Sequence, residues 1–192
     1  MMQKNYLKYL ISESKKFAKE NKIFNIVLYG SYLKGKIEER DLDILLIFND
    51  LSLHKRVDIA YKFKEILKKE IKNIDIKTIN LYELFETDYL ARQSILIEGY
   101  SLINNKPFSE KMGFIGYSLF TYTLKKLGHN KKTKFTYALI GRGGPGIIKK
   151  LNITPLYRGA FLVPVKHSTI FEDFLKNWDI DYTKKNILIS EI

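Results

Sequence analysis

The chain has 192 residues, of which 45% are hydrophobic and 14% aromatic, enough to bury the core of one substantial domain or of two small ones. That content excludes wholesale disorder, and the lack of cysteine excludes disulfides and thiolate metal centres. The formal charge is +12, and no apolar run approaches the roughly 18 residues of a membrane helix.

In chain order, residues 1–16 are amphipathic and carry Glu13, so they do not read as a signal peptide, and a soluble, cytoplasmic protein is expected. Leu7, Leu10, Ile11 and Phe17 recur at helical spacing and predict a helix over 6–19. The run FNIVLY (24–29) predicts a buried strand ending at Gly30, followed by a turn and a short helix over 31–36. LDILLIF (42–48) is a second buried strand. A helix is expected over 52–71, with Leu53, Val57, Ala60, Phe63, Ile66 and Leu67 as its apolar stripe. Asn73 stops it, and the alternating IDIKTI (74–79) predicts a third strand.

Residues 81–98 then read as helix, Gly99 as its end, and 100–103 as a short strand. The stretch Asn104, Asn105, Lys106, Pro107 marks the expected boundary between a domain of residues 1–105 and a second of 106–192. Ser109 is placed to cap a helix reaching Leu127. Beyond it, strands are predicted over 134–140 and 160–165, a helix over 169–177 and a closing strand over 180–189. The fold class is α/β (α+β): a mixed sheet flanked by helices, then a smaller α+β domain.

The charge is unevenly placed. Residues 1–100 hold 18 Lys/Arg against 15 Asp/Glu, and residues 101–192 hold 15 against 6. From Lys111 to Ser168 eleven basic residues occur with no acid. A solvated face interleaves its signs, so this stretch favours a polyanionic partner, with nucleic acid ahead of a membrane surface. Within it lies GRGGPG (141–146), read either as a flexible loop or as an anion-binding nest around Arg142. The spacing of His54, His129 and His167 suggests no transition-metal site. Tyr117, Tyr122, Phe114 and Phe120 sit at helical intervals and are expected in the core.

The chemistry concentrates in LYGSYLKGKIEERDLDILLIF, residues 28–48. Strand side chains alternate, so Asp41 and Asp43 point to one side of the sheet. Two carboxylates on an otherwise apolar strand are costly unless a cation neutralises them, and oxygen donors of this kind suit Mg²⁺. Asp75, on the third strand, supplies another carboxylate if that strand is a neighbour. Three together can hold two ions about 4 Å apart, Mg²⁺ or Mn²⁺ in its place. Gly30 lets the backbone approach phosphate closely, beside the Ser31 hydroxyl.

This segment resembles the signature of the polymerase β nucleotidyltransferase superfamily, over roughly residues 21–104: Gly-Ser, a spacer, a second glycine (Gly35), then Asp-x-Asp on a strand and a later third acid. The spacing from Asp43 to Asp75 is similar to that of the minimal nucleotidyltransferase subgroup. Two departures are present: nine residues separate Ser31 from Asp41, one fewer than is usual in that subgroup, and Arg40 precedes the first aspartate. The resemblance implies that Asp41, Asp43 and Asp75 hold the metals, that Gly30 and Ser31 grip the triphosphate of an NTP, ATP first, and that pyrophosphate leaves. A nucleic-acid end is the expected acceptor, bound through 111–168. Two other readings stay open: a protein adenylyltransferase acting as antitoxin to a HEPN-domain partner, and a catalytically silent nucleic-acid-binding module. Lys34, Lys36 and Arg40 lie near the signature without being assigned a role.

Overall fold

The computed structural model describes residues 2–34 and 42–190. The chain divides into two compact units, Met1–Gly113 and Phe114–Ile192.

Unit 1 opens with α1 (Met2–Asn21), which buries Leu10, Ser14 and Phe17 along one face. Strands β1 (Asn25–Tyr29) and β2 (Leu42–Phe48) follow, then α2 (Leu53–Leu67) and β3 (Ile74–Asn80). Two short strands, β4 (Tyr100–Ser101) and β5 (Lys106–Pro107), complete a sheet of order β3-β2-β1-β4-β5. β2 and β3 run parallel, with α2 as the crossover, and the remaining pairs are antiparallel. The sheet is mixed, as the sequence predicts. Residues 104–107, where the sequence marks a boundary, are the end of the β4–β5 turn and β5 itself, within this sheet.

Every residue of β2 except Asp43 is buried, because both faces of the strand are covered. Leu42, Ile44, Leu46 and Phe48 pack against α1 and α2. Leu45 and Ile47 meet Val27, Tyr29, Leu84, Ile95 and Phe108 on the other face. Asp43 belongs to this second set by alternation, at the end of the strand where the apolar cover runs out.

The inward face of α2 runs through Arg56, Ala60, Phe63 and Leu67, with Phe63 stacked on Phe17 at 4.7 Å between centroids. Leu53 and Val57, expected in this stripe, are 63% and 53% exposed. The cause is Arg56. Its Nη1 and Nη2 donate to Glu83 Oε2 and Oε1 at 2.7 and 3.0 Å, so the first turn presents the guanidinium inward instead. The Asn80 backbone N–H also donates to Glu83, and the Asn80 amide bonds both the N–H and the carbonyl of Leu51.

The helix expected over 81–98 is broken into a 3₁₀ turn (Tyr82–Phe85) and a π-helical turn (Ser94–Glu98). Leu84 and Ile95 each anchor one piece in the core, while Leu90 between them is 95% exposed. Arg92 donates to the carbonyls of Phe85 and Glu86, closing the first piece before a helix can continue.

Unit 2 is an antiparallel sheet of order β7-β8-β6-β9 with helices against it. Its strands are β6 (Phe114–Thr123), β7 (Thr154–Tyr157), β8 (Ala160–Pro164) and β9 (Asp181–Ser190). Its helices are α3 (His129–Ile140), α4 (Ile147–Lys150) and α5 (Ser168–Asn177). Two expectations fail here. The helix predicted from Ser109 stops after one 3₁₀ turn, because Gly113 adopts φ +76°, and FIGYSLFTYT continues as strand β6. Aromatic and β-branched residues on both faces of that strand imitate helical intervals. Conversely, 134–140, read as a strand, belongs to α3, which buries Phe135 and Leu139 one turn apart. Phe120, Phe135, Phe161 and Phe171 form the core with Leu175, and Tyr122 stacks on Phe161 at 5.5 Å.

Candidate active site

The order of strands brings three residues into one row. Tyr29, the last residue of β1, pairs with Asp43 of β2, and Asp43 pairs with Asp75 of β3. Directly paired residues share a face, and neighbouring strands lie about 4.8 Å apart, so one phenol and two carboxylates line up across the sheet. Asp41 lies outside the described residues, as do Gly35, Lys36 and Arg40.

Gly30 begins a 3₁₀ turn (Gly30–Lys34) that also carries Ser31. It adopts φ +82°, and a Cβ there would collide with the Asp43 carboxylate. Glycine is therefore required twice, for its backbone conformation and for its contact with an acid. Asp75 is half-exposed and pairs with Lys77, two residues along the same face, at 3.7 Å. Between groups this open to solvent, such a pair adds little stability.

Tyr29 was missed by sequence reasoning. Its side chain is only 6% exposed, and its hydroxyl is buried with no hydrogen-bond partner among the described residues. Burial pushes this hydroxyl well above the ordinary tyrosine range, with Tyr89, Asp43 and Asp75 each adding to the effect. In the sequence Tyr29 is one more apolar position in FNIVLY, and only the strand register reveals its neighbours.

The residues fit a hard divalent cation. The donors are carboxylate oxygens, two of the carboxylates at matched register on adjacent strands, and the buried Tyr29 hydroxyl beside them has no hydrogen-bond partner among the described residues. By contrast, a 440 Å³ cleft lined by Asn21, Phe48, Asp50 and Lys55 sits at the opposite end of β2 from Asp43.

The family model for polymerase β-type nucleotidyltransferases matches residues 13–107. Among curated proteins none matches the chain. Among solved structures, the tri-AMPylated HEPN toxin of Shewanella oneidensis in complex with its MNT antitoxin is 21% identical. That match covers 55% of this chain and 78% of the other, at a TM-score of 0.38. A toxin–antitoxin complex with AMP-PNP is 24% identical over 48% of this chain and 71% of that one, at a TM-score of 0.37. Gly30 and the paired strands that bear Asp43 and Asp75 fall within the matched span, and residues 13–107 belong to the polymerase β nucleotidyltransferase family.

Proposed function

We propose that the chain transfers a nucleoside monophosphate from an NTP, ATP first, to an acceptor hydroxyl and releases pyrophosphate. The observation that carries this reading is the matched register of Asp43 and Asp75, with Gly30 pressed against Asp43. Asp41, Asp43 and Asp75 would hold two Mg²⁺ ions, which when bound neutralise phosphate charge and acidify the attacking hydroxyl. Gly30 and Ser31 present backbone N–H and hydroxyl groups to the triphosphate. The acceptor oxygen bonds to the α-phosphorus as the bond to the bridging oxygen breaks. Asp75, whose side chain is half-exposed, accepts the hydroxyl proton. Most of the rate enhancement then comes from positioning and fixed charge. The acceptor is a nucleic-acid end, on the strength of the acid-free segment 111–168.

Incubation with Mg²⁺ and each α-labelled NTP, against RNA, single-stranded DNA and lysate protein, tests this directly. Label on nucleic acid supports the reading. Label on a protein band assigns a protein acceptor instead. Equal labelling by wild type and by the Asp43→Asn, Asp75→Asn double variant removes the site.

A further inference from the structure

Unit 2 separates its charges. Its described acids, Glu172, Asp173, Asp179 and Asp181, lie on α5, just after it and on β9. Three cations pair with them: Lys126 with Asp181 at 2.8 Å, and Lys176 and Lys184 with Glu172 at 3.2 and 2.8 Å. Lys131 and Lys134 on α3, Arg142 in the following turn, and Lys149 and Lys150 on α4 are exposed. Among the described residues none of these five joins an ion pair. Like charges left unpaired within about twenty residues of chain repel, and a polyanion relieves that repulsion.

The lysine row of α3 ends in a flat cation. Lys131, Lys134 and Tyr137 recur every three residues along α3, and the Arg142 guanidinium lies over the Tyr137 ring, 4.7 Å from its centroid. A guanidinium seated on an aromatic ring keeps its outer plane open to a nucleobase.

The turn between α3 and α4 gives a third, independent indication. A Cβ on Gly141 would strike the Gly144 carbonyl, one on Gly146 would strike the backbone of Leu139 and Ile140, and Gly143 has φ +73°. Those three positions need glycine for the fold itself. Gly144 does not: its φ lies outside the left-handed region, and a Cβ there would meet open space. An exposed glycine that the fold does not require leaves the backbone free to approach a ligand closely.

We infer that α3, the 141–146 turn and α4 form a binding site for single-stranded nucleic acid. Lys131, Lys134, Lys149 and Lys150 meet the phosphates, Arg142 on Tyr137 stacks a base, and the backbone of Gly143 and Gly144 lies against phosphate oxygens. A single strand fits better than a duplex, because the stacking platform needs an unpaired base. The site rests on the proposed transfer only in that the bound strand would present the acceptor hydroxyl.

Fluorescence anisotropy of the full chain with a labelled mixed-sequence RNA 20-mer tests the site. Wild type should bind with an affinity that falls steeply with salt. Arg142→Gln, Lys149→Gln, Lys150→Gln together should weaken binding about tenfold and make the salt slope shallower by about 2. Gly144→Val should weaken binding about fivefold with Tm unchanged, since its side chain points into open space. Wild-type affinity in the triple variant overturns the site, and so does preference for duplex, for phosphatidylserine vesicles or for polyglutamate. The Asp43→Asn, Asp75→Asn variant separates the two readings. If that variant and wild type bind RNA equally while neither transfers NMP, the transfer reading falls and the binding site stands. RNA labelling by the triple variant at unchanged KM has the opposite meaning.

Discussion

Asp43 and Asp75 occupy matched positions on neighbouring parallel strands, and the residue facing Asp43 from the other side is Tyr29. Parallel pairing with a helical crossover places both carboxylates at the same end of the sheet, which a hairpin between these strands would not do.

Asp75 is half-exposed, and its ion pair with Lys77 is weak. Asp75→Asn should therefore change metal-free stability by no more than about 0.5 kcal/mol. It should abolish the rise in Tm that Mg²⁺ with ATP gives to wild type. Thermal unfolding of both proteins, with and without the ligands, provides the check. An undiminished rise in the variant argues against Asp75 as a ligand.

Tyr29→Phe deletes a buried hydroxyl that has no partner among the described residues. Stability in urea should stay level or rise by about 1 kcal/mol. If that hydroxyl orients the groups around a bound cation, Mn²⁺ affinity followed by electron paramagnetic resonance should fall roughly tenfold. Unchanged Mn²⁺ affinity would leave Tyr29 a packing residue only.

Gly30→Ala meets both a left-handed φ and the Asp43 carboxylate. The expected cost is about 1–3 kcal/mol in denaturant unfolding, together with loss of nucleotide binding by calorimetry. A variant of wild-type stability that still binds nucleotide would contradict the close contact.

Glu172 provides a pH test confined to unit 2. Burial raises its pKa, but hydrogen bonds donated by Lys184, Tyr182 and Lys176 outweigh this and hold it at about 2, below the ordinary 4.5. A depressed folded-state pKa stabilises above the unfolded value, and that contribution is lost as pH falls. Wild type should therefore lose stability between pH 4.5 and 2 more steeply than Glu172→Gln. Circular dichroism melts across that range would show parallel curves if the hydrogen bonds contribute nothing.

Much of unit 1 was legible because its signals are local. FNIVLY, LDILLIF and IDIKTI announce buried or alternating strands, and Gly30, Asp43 and Asp75 announce themselves by residue type. Tyr29 was not legible, since an aromatic at the end of an apolar run carries no sign of which residue faces it. Leu53 and Val57 misled because the Arg56–Glu83 pair outweighed an apolar stripe over the first turn of α2. Residues 109–127 misled because a strand with large side chains on both faces reads as a helix until Gly113 is seen to end the 3₁₀ turn before it.

The Arg56–Glu83–Asn80 network lies at the far end of β2 and β3, roughly 17 Å from the carboxylates by strand rise. A slip of β3 by one residue would turn Asp75 toward the helices and bring Ile74 or Ile76 to the row instead. The network thus sets the phase of the strand that carries the acid. Damage to Arg56 would surface as a fault of chemistry, in a protein whose every candidate ligand was still in the sequence.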